Sequence, residues 1–302
     1  MSGQGSLGGW RLVLGEGQVL RQGVEQDRWS LLWLVRVSRW VHRVQNQESL
    51  RSLLAYQPSI VWQRGSKLHG ALLTSFYRRP VATVRLLALR AREDRSSFFS
   101  EVLPHAEERF AALGARWLSF YDCPPWLEEA LPGAGYIQQD LVLNYAKTGL
   151  EAPCQGNSQV LVRRPTLEDV PGILALDRAA FEPFWWINAE IVRRSIWEAP
   201  YCLIAEYEGE VVGYLIAEER WRGRAYLSRI GVLPSWQGRG VGTRLMVEAF
   251  AEMRRDGLRG VLLNTQAKNL QAQAFYQRLG FFPTGEGTIF WSKELPANSN
   301  PT

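Results

Sequence analysis

Residues 225–232 (AYLSRIGV) are followed by the glycine-rich run Gln237, Gly238, Arg239, Gly240, Val241, Gly242, and then by an amphipathic stretch over 240–255. The first segment reads as a β-strand from its β-branched and aromatic content. The last reads as a helix, because Leu245, Met246, Ala249, Phe250 and Met253 recur on one side. A strand that feeds a glycine turn opening a helix is an anion-binding device. The glycines permit close approach of the backbone, and the first helical N–H groups have no intrahelical partner. Those donors and the positive end of the helix dipole favour a phosphate.

The chain of 302 residues fits two domains of ordinary size. Hydrophobic content of 46% and charged content of 22% are those of a globular protein. No run reaches the roughly 18 uninterrupted apolar residues of a membrane span; the most apolar early stretch, 31–41, is broken by Arg36 and Arg39. Residues 1–9 are glycine-rich, show no secretory pattern and are expected to be disordered, as is the tail at 297–302. Cys123, Cys154 and Cys202 are odd in number and far apart, so neither a disulfide framework nor a zinc pattern is expected; a reducing cytoplasm is the simplest location. The net charge of +5 lies entirely in residues 1–150, which hold 18 basic and 13 acidic residues, against 17 of each in 151–302. These arginines are scattered rather than striped, so no nucleic-acid partner is expected.

Along the first half, a strand or hairpin is expected at 10–20, strands at 59–63, 71–77, 82–89, 116–121 and 139–145, and helices at 48–56, 97–113 and 126–131. The stretch 31–47 is mixed. Residues 148–159 replace periodicity with Gly, Pro, Asn and Ser and read as a linker. The second half then runs strand 160–163, a helix capped by Thr166 with Asp169, helix 188–197, hairpin strands 202–207 and 211–218, strand 226–232, the glycine turn and its helix, strand 261–265, helix 269–279 and strand 288–292. Gly114 and Gly135-Tyr136 stand to the first half as Gly257 and Gly280-Phe281 stand to the second, at offsets of 143 and 145 residues. With the shared strand–helix order, this suggests a duplicated unit. His42, His69 and His105 lie in the first half, so a triad or His-ligated metal site confined to the second half is excluded.

Residues 160–295 resemble the GNAT family of acyl-CoA-dependent N-acyltransferases. The likeness rests on 230–242 (IGVLPSWQGRGVG), which fits the family's pyrophosphate turn, and on 269–281 (NLQAQAFYQRLGF), which fits its Asn…Tyr…Leu-Gly-Phe helix. The wider pattern is similar to the ribosomal-protein alanine acetyltransferase branch. The resemblance implies an α/β (α+β) fold of two tandem GNAT-like domains, each a mixed, mostly antiparallel sheet flanked by helices. They would occupy residues 1–147, a degenerate domain, and 160–296, the catalytic one. Acetyl-CoA is implied as cosubstrate, with an amine as acceptor and no metal. Backbone amides of Gln237, Gly238, Arg239, Gly240, Val241 and Gly242 would hold the CoA pyrophosphate. The strand edge at Ile230 and Val232 would pair with the pantetheine arm, and Asn269 would hydrogen-bond it. Tyr276 would protonate the departing thiolate.

Asn264 stands where the alanine acetyltransferase branch has a glutamate base, and Tyr226 and Ser228 occupy the strand on which another branch carries one. Glu218 and Glu219 are the nearest carboxylate candidates. Trp185 and Trp186 could wall an acceptor groove or pack in the core, and Gly285 to Gly287 could form its opposite lip. Two readings stay open: an N-acetyltransferase acting on a small amine or a protein terminus, and a module that holds acyl-CoA without turnover. The oligomeric state is left open.

Overall fold

The computed structural model describes residues 10–14, 17–44, 49–56, 59–78, 80–90, 94–220 and 223–296. The termini read as disordered lie outside them. The order is β1 (Arg11–Leu14), β2 (Gln18–Gln22), α1 (Arg28–Val37), β3 (Trp40–Arg43), α2 (Leu50–Tyr56), β4 (Ser59–Arg64), β5 (Lys67–Arg78), β6 (Val81–Leu89), α3 (Asp94–Ser97) running through a π-helical Phe98–Val102 into α4 (Leu103–Ala112), β7 (Trp117–Tyr121), α5 (Pro125–Ala130) and β8 (Ile137–Thr148). There follow β9 (Leu161–Arg163), α6 (Val170–Ala180), α7 (Ala189–Glu198), β10 (Tyr201–Tyr207), β11 (Glu210–Arg220), β12 (Arg224–Val232), α8 (Val241–Arg255), β13 (Gly260–Gln266), α9 (Leu270–Arg278) and β14 (Phe282–Glu294). Among the described residues no helix is long and apolar enough to cross a membrane.

Two compact units result, one of residues 1–139 with 290–302 and one of 140–289. The sequence places the division at 148–159. The difference comes from two long strands that each pass from one unit to the other. Residues 142–148 of β8 pair with β13 in the second unit, and residues 290–294 of β14 pair with β7 in the first.

In the first unit β1, β2, β4, β5, β6 and β7 are successive neighbours, all antiparallel except β6 with β7. The expected stripe of Phe98, Val102 and Phe110 is buried against Leu118 and Phe120. Helix α1 and strand β3 fall in the stretch that sequence reading left as mixed. The reason is that α1 (RWSLLWLVRV) is apolar on several faces: Leu31 and Leu34 are buried, while Trp29 is 74% exposed. Its helical phase shows only once the core selects a face.

Strand β3 buries His42 at 1% exposure, 6.0 Å from the Phe120 ring. Burial pushes its pKa down to about 4, helped by the Arg85 charge; hydrogen bonding to the Val84 and Asp122 backbones and the Asp122 charge oppose this incompletely. Between pH 6.5 and 4 the unfolded chain therefore binds a proton that the folded chain refuses, so stability is full above pH 6.5 and falls as pH drops. We expect a loss of about 3 kcal/mol across this window, and a flatter profile in His42→Leu. Hydrogen exchange of the Val44 amide, bonded to the Arg85 carbonyl at 3.0 Å, would read the opening energy; equal slopes in both proteins would refute the assignment.

The second unit has the neighbours β8, β13, β12, β11, β10 and β9, antiparallel except for the parallel pair β12 and β13. Helix α8 buries the expected Leu245, Met246, Ala249, Phe250 and Met253. Helix α6 starts as its capping residues direct: the Thr166 amide donates to the Asp169 carboxylate at 2.7 Å. Each unit is thus a mixed, mostly antiparallel sheet flanked by helices.

Candidate active site

In the second unit the parallel ladder between β12 and β13 ends at the pair Leu227 and Leu263. The ladder between β12 and β11 continues to Val232. Residues 228–232 are therefore hydrogen-bonded along one edge, and no ladder with β13 continues along the other. The departure coincides with a bulge. Ile216 of β11 faces Arg229 and Ala217 faces Leu227, so Ser228 is one residue in excess. A bulge bends its strand and re-aims the side chains beyond it. Ala225, Leu227, Ile230 and Val232 accordingly join one core with Val241, Phe275 and Tyr276, while Arg229 turns to the opposite face.

The glycine turn lies directly beyond this edge, and its Gln237 side chain donates back to the Val232 carbonyl at 3.2 Å. Gly238 and Gly240 have φ of +73° and +79°, the left-handed region that L side chains rarely adopt. Gly240 caps α8 without a side chain. The Arg239 carbonyl accepts from Asn157 Nδ2 at 2.9 Å, and the Gly240 carbonyl accepts from the Asn157 amide at 3.1 Å. Because each peptide is planar and trans, fixing those carbonyls turns the N–H groups of Gly240 and Val241 the opposite way. The segment read as a linker thus braces the turn. Gly156 fits so closely that a Cβ there would clash with the Arg244 backbone nitrogen.

Helix α9 completes the arrangement. Its cap is Asn269, whose Oδ1 accepts from the Ala272 amide at 3.0 Å; the cap uses the carbonyl end and leaves the amide –NH₂ as a donor. Phe275 packs on the turn: a Cβ on Gly242 would meet it at 3.2 Å and Val232 at 3.7 Å. The next residue, Tyr276, is buried among Tyr145, Phe275 and Phe281. Burial raises its pKa, so the phenol keeps its proton at neutral pH. The Arg229 guanidinium acts in the opposite sense and Tyr226 with the burial. A phenol that burial holds protonated is a weak acid at neutral pH.

Sequence reading missed the network that holds Arg229. Asp177 of α6 has 0% exposure. Its Oδ2 accepts from Arg229 Nη2 at 2.5 Å, from Arg229 Nε at 3.0 Å and from the Tyr214 hydroxyl at 2.5 Å. Its Oδ1 accepts from the Ile187 amide at 3.1 Å. The guanidinium lies 3.6 Å from the centre of the Phe181 ring. The signal available was a charge at a core position on both elements, an Asp in an apolar helix and an Arg in an apolar strand. Its meaning depends on the two being neighbours.

The remaining candidates divide. Trp185 is buried against Phe184, 5.0 Å away and edge-on, whereas Trp186 is half-buried and donates to the Phe181 carbonyl at 2.8 Å. Glu218 is half-buried opposite Tyr226; the side chain of Glu219 lies outside the described residues. Asn264 is exposed on β13, opposite Asn144. Gly285 and Gly287 are exposed on β14. Cys154 is exposed, Cys123 half-buried and Cys202 buried; all are free thiols.

Residues 171–281 match the model of the acetyltransferase (GNAT) family. This part of the chain is a GNAT acetyltransferase domain. It is similar to the 5-NmdU N-acetyltransferase of Pseudomonas phage PaMx11, with 38% identity over 84 residues, which is 28% of this chain and 58% of that protein. It is also similar to the mycothiol acetyltransferase of Rhodococcus opacus, with 30% identity over 190 residues, 53% of this chain and 61% of that one. The chain thus spans about three-fifths of the length of these two relatives. In fold it is similar to a tandem GNAT protein from the clavulanic acid biosynthesis pathway, with a TM-score of 0.55 and 16% identity over 92% of this chain and 98% of that one. Two tandem GNAT-like units are the fold of this chain.

Proposed function

We propose that the second unit is an acetyl-CoA-dependent N-acetyltransferase that passes the acyl group directly to a primary amine, either a small molecule or a peptide N-terminus. The observation that carries this reading is that edge of β12 over 228–232 which no strand pairs among the described residues and on which the Val232 carbonyl accepts only from the Gln237 side chain, at 3.2 Å; it opens onto the glycine turn at one end and lies by the helix of Tyr276. An extended pantetheine arm can add to that edge as a strand would, through the backbone of Ile230 and Val232. The N–H groups from Gln237 to Gly242 then meet the pyrophosphate, with Arg239 adding charge. A neutral amine attacks the thioester carbonyl, the C–S bond breaks, and Tyr276 gives its proton to the departing thiolate. Arg229 offsets the phenolate until the proton lost by the amine returns. Glu218 is the carboxylate we assign to relay that proton through water, since Asn264 cannot accept one. On this reading residues 160–296 are catalytic and residues 1–147 are a GNAT-like domain without catalysis.

Asn264 also motivates the second reading, a module that holds acyl-CoA without turnover. Release of CoA thiol at pH 8 to 9, measured against a panel of small amines and peptides, separates the two. Turnover on any amine supports the enzyme; acetyl-CoA binding with no release on the whole panel supports the module.

The dual use of Asn269 gives a sharper check. Asn269→Asp keeps the cap acceptor but removes the –NH₂ donors, so we expect unchanged thermal stability and about tenfold weaker acetyl-CoA binding. Asn269→Ala should lose about 1 kcal/mol of stability as well. Calorimetric titration and melting curves decide; full affinity in Asn269→Asp would reduce the residue to a cap.

A further inference from the structure

We infer that the first unit is closed to acyl-CoA because its own strand β3 occupies the edge that the second unit leaves for the pantetheine, so that the chain binds one acyl-CoA and not two. This rests on the reading of the second unit as an acyl-CoA site. The two units share the geometry that creates such an edge. In the first, the parallel ladder between β6 and β7 ends at Thr83 and Ser119, while the ladder between β6 and β5 runs on to Leu89. Here, however, the edge that β7 leaves is taken. Strand β3 pairs with it antiparallel, Arg43 opposite Leu86 through Trp40 opposite Leu89. The backbone bonds continue at both ends, from the Val44 amide to the Arg85 carbonyl at 3.0 Å and from the Arg39 amide to the Arg90 carbonyl at 3.3 Å. The donors and acceptors that a pantetheine amide would use are satisfied by the chain itself.

The helix facing this edge has lost the matching groups. Both units end that helix in the same way. The amides of Tyr136 and Phe281 donate to the carbonyls of Leu131 and Tyr276, each at 3.0 Å, around glycines with φ of +83° and +85°. This cap sets Leu131 in the place of Tyr276 and Pro124 in that of Asn269, so neither a proton nor an amide donor is available. Residues 90–97 contain no glycine for a close turn. The cavity left in this region, about 630 Å³, is walled by Trp40 with Arg95, Phe99 and Ala134. Trp40 is held there between Trp126 at 5.4 Å and the Arg95 guanidinium at 5.1 Å.

The test is the stoichiometry of acetyl-CoA on the full chain, by calorimetric titration and native mass spectrometry, with hydrogen exchange to locate the site. We expect one equivalent, new protection confined to residues 228–243, unchanged exchange over 84–90, and loss of all binding in Gly240→Ala, whose backbone sits at φ +79°. Two equivalents would overturn the inference. So would one equivalent with new protection over 84–90, or one that survives in Gly240→Ala. No binding at all would overturn the functional reading of the second unit, and the count with it.

Discussion

Tyr276→Phe is expected to slow acyl transfer by about two to three orders of magnitude, the usual worth of a positioned general acid, while leaving acetyl-CoA affinity within about threefold. The substitution removes one oxygen. The ring contacts with Tyr145, Phe275 and Phe281 remain, and the hydroxyl has no hydrogen bond among the described residues that folding would miss. A fall in kcat without a matching rise in KM is therefore the signature of lost proton delivery rather than lost structure. The pH profile adds a second readout. Burial raises the phenol's pKa, so the rate should climb with deprotonation of the amine and show no loss up to pH 10 from ionisation of Tyr276. A Tyr276→Phe protein with wild-type single-turnover rates on a good amine would remove Tyr276 from the mechanism, while leaving the donor site intact.

Asp177→Ala is expected to destabilise the second unit by about 3 to 5 kcal/mol, because it leaves Arg229 as a buried cation without its counter-charge. It also strips the Tyr214 hydroxyl and the Ile187 amide of their acceptor. Replacing both charges together, Asp177→Leu with Arg229→Met, should cost much less than the single change, since two apolar side chains need no partners. Urea denaturation of the wild type, Asp177→Leu, Arg229→Met and the double variant completes the cycle. A single variant within about 1 kcal/mol of wild type would show that the pair does not hold α6 to β12. The double variant should still bind acetyl-CoA, yet lose rate, because the cation that offsets the Tyr276 phenolate is gone.

The turn and the helix that the proposed donor site uses were legible in the sequence for a physical reason: their geometry is local. A glycine turn between a strand and a helix, and an Asn seven residues before a Tyr on the next helix, are short-range patterns with fixed geometric consequences. The structure brings Ile230, Val232, Val241 and Tyr276 into one core and caps α9 with Asn269. The tryptophans proposed for an acceptor groove were less legible. Trp185 and Trp186 are adjacent in sequence and similar in chemistry, but one is buried and the other half-buried; nothing in their order distinguishes them. The linker at 148–159 was read from composition alone, and composition does not reveal that Asn157 bonds two carbonyls of the glycine turn.

By itself, then, the sequence determined most of the elements, though not α1 and β3, together with the duplicated order and the turn that suits a phosphate, because each follows from neighbours within a few residues. Tertiary structure decided the rest. Whether Asp177 meets Arg229, whether β8 pairs within the half it follows, and whether the edge beside a parallel strand stays free or is filled by β3 all depend on residues far apart in the chain. The hydrogen bonds of a strand edge are the same in both units. What differs is which backbone reaches them, and that is settled only by the path of the whole chain.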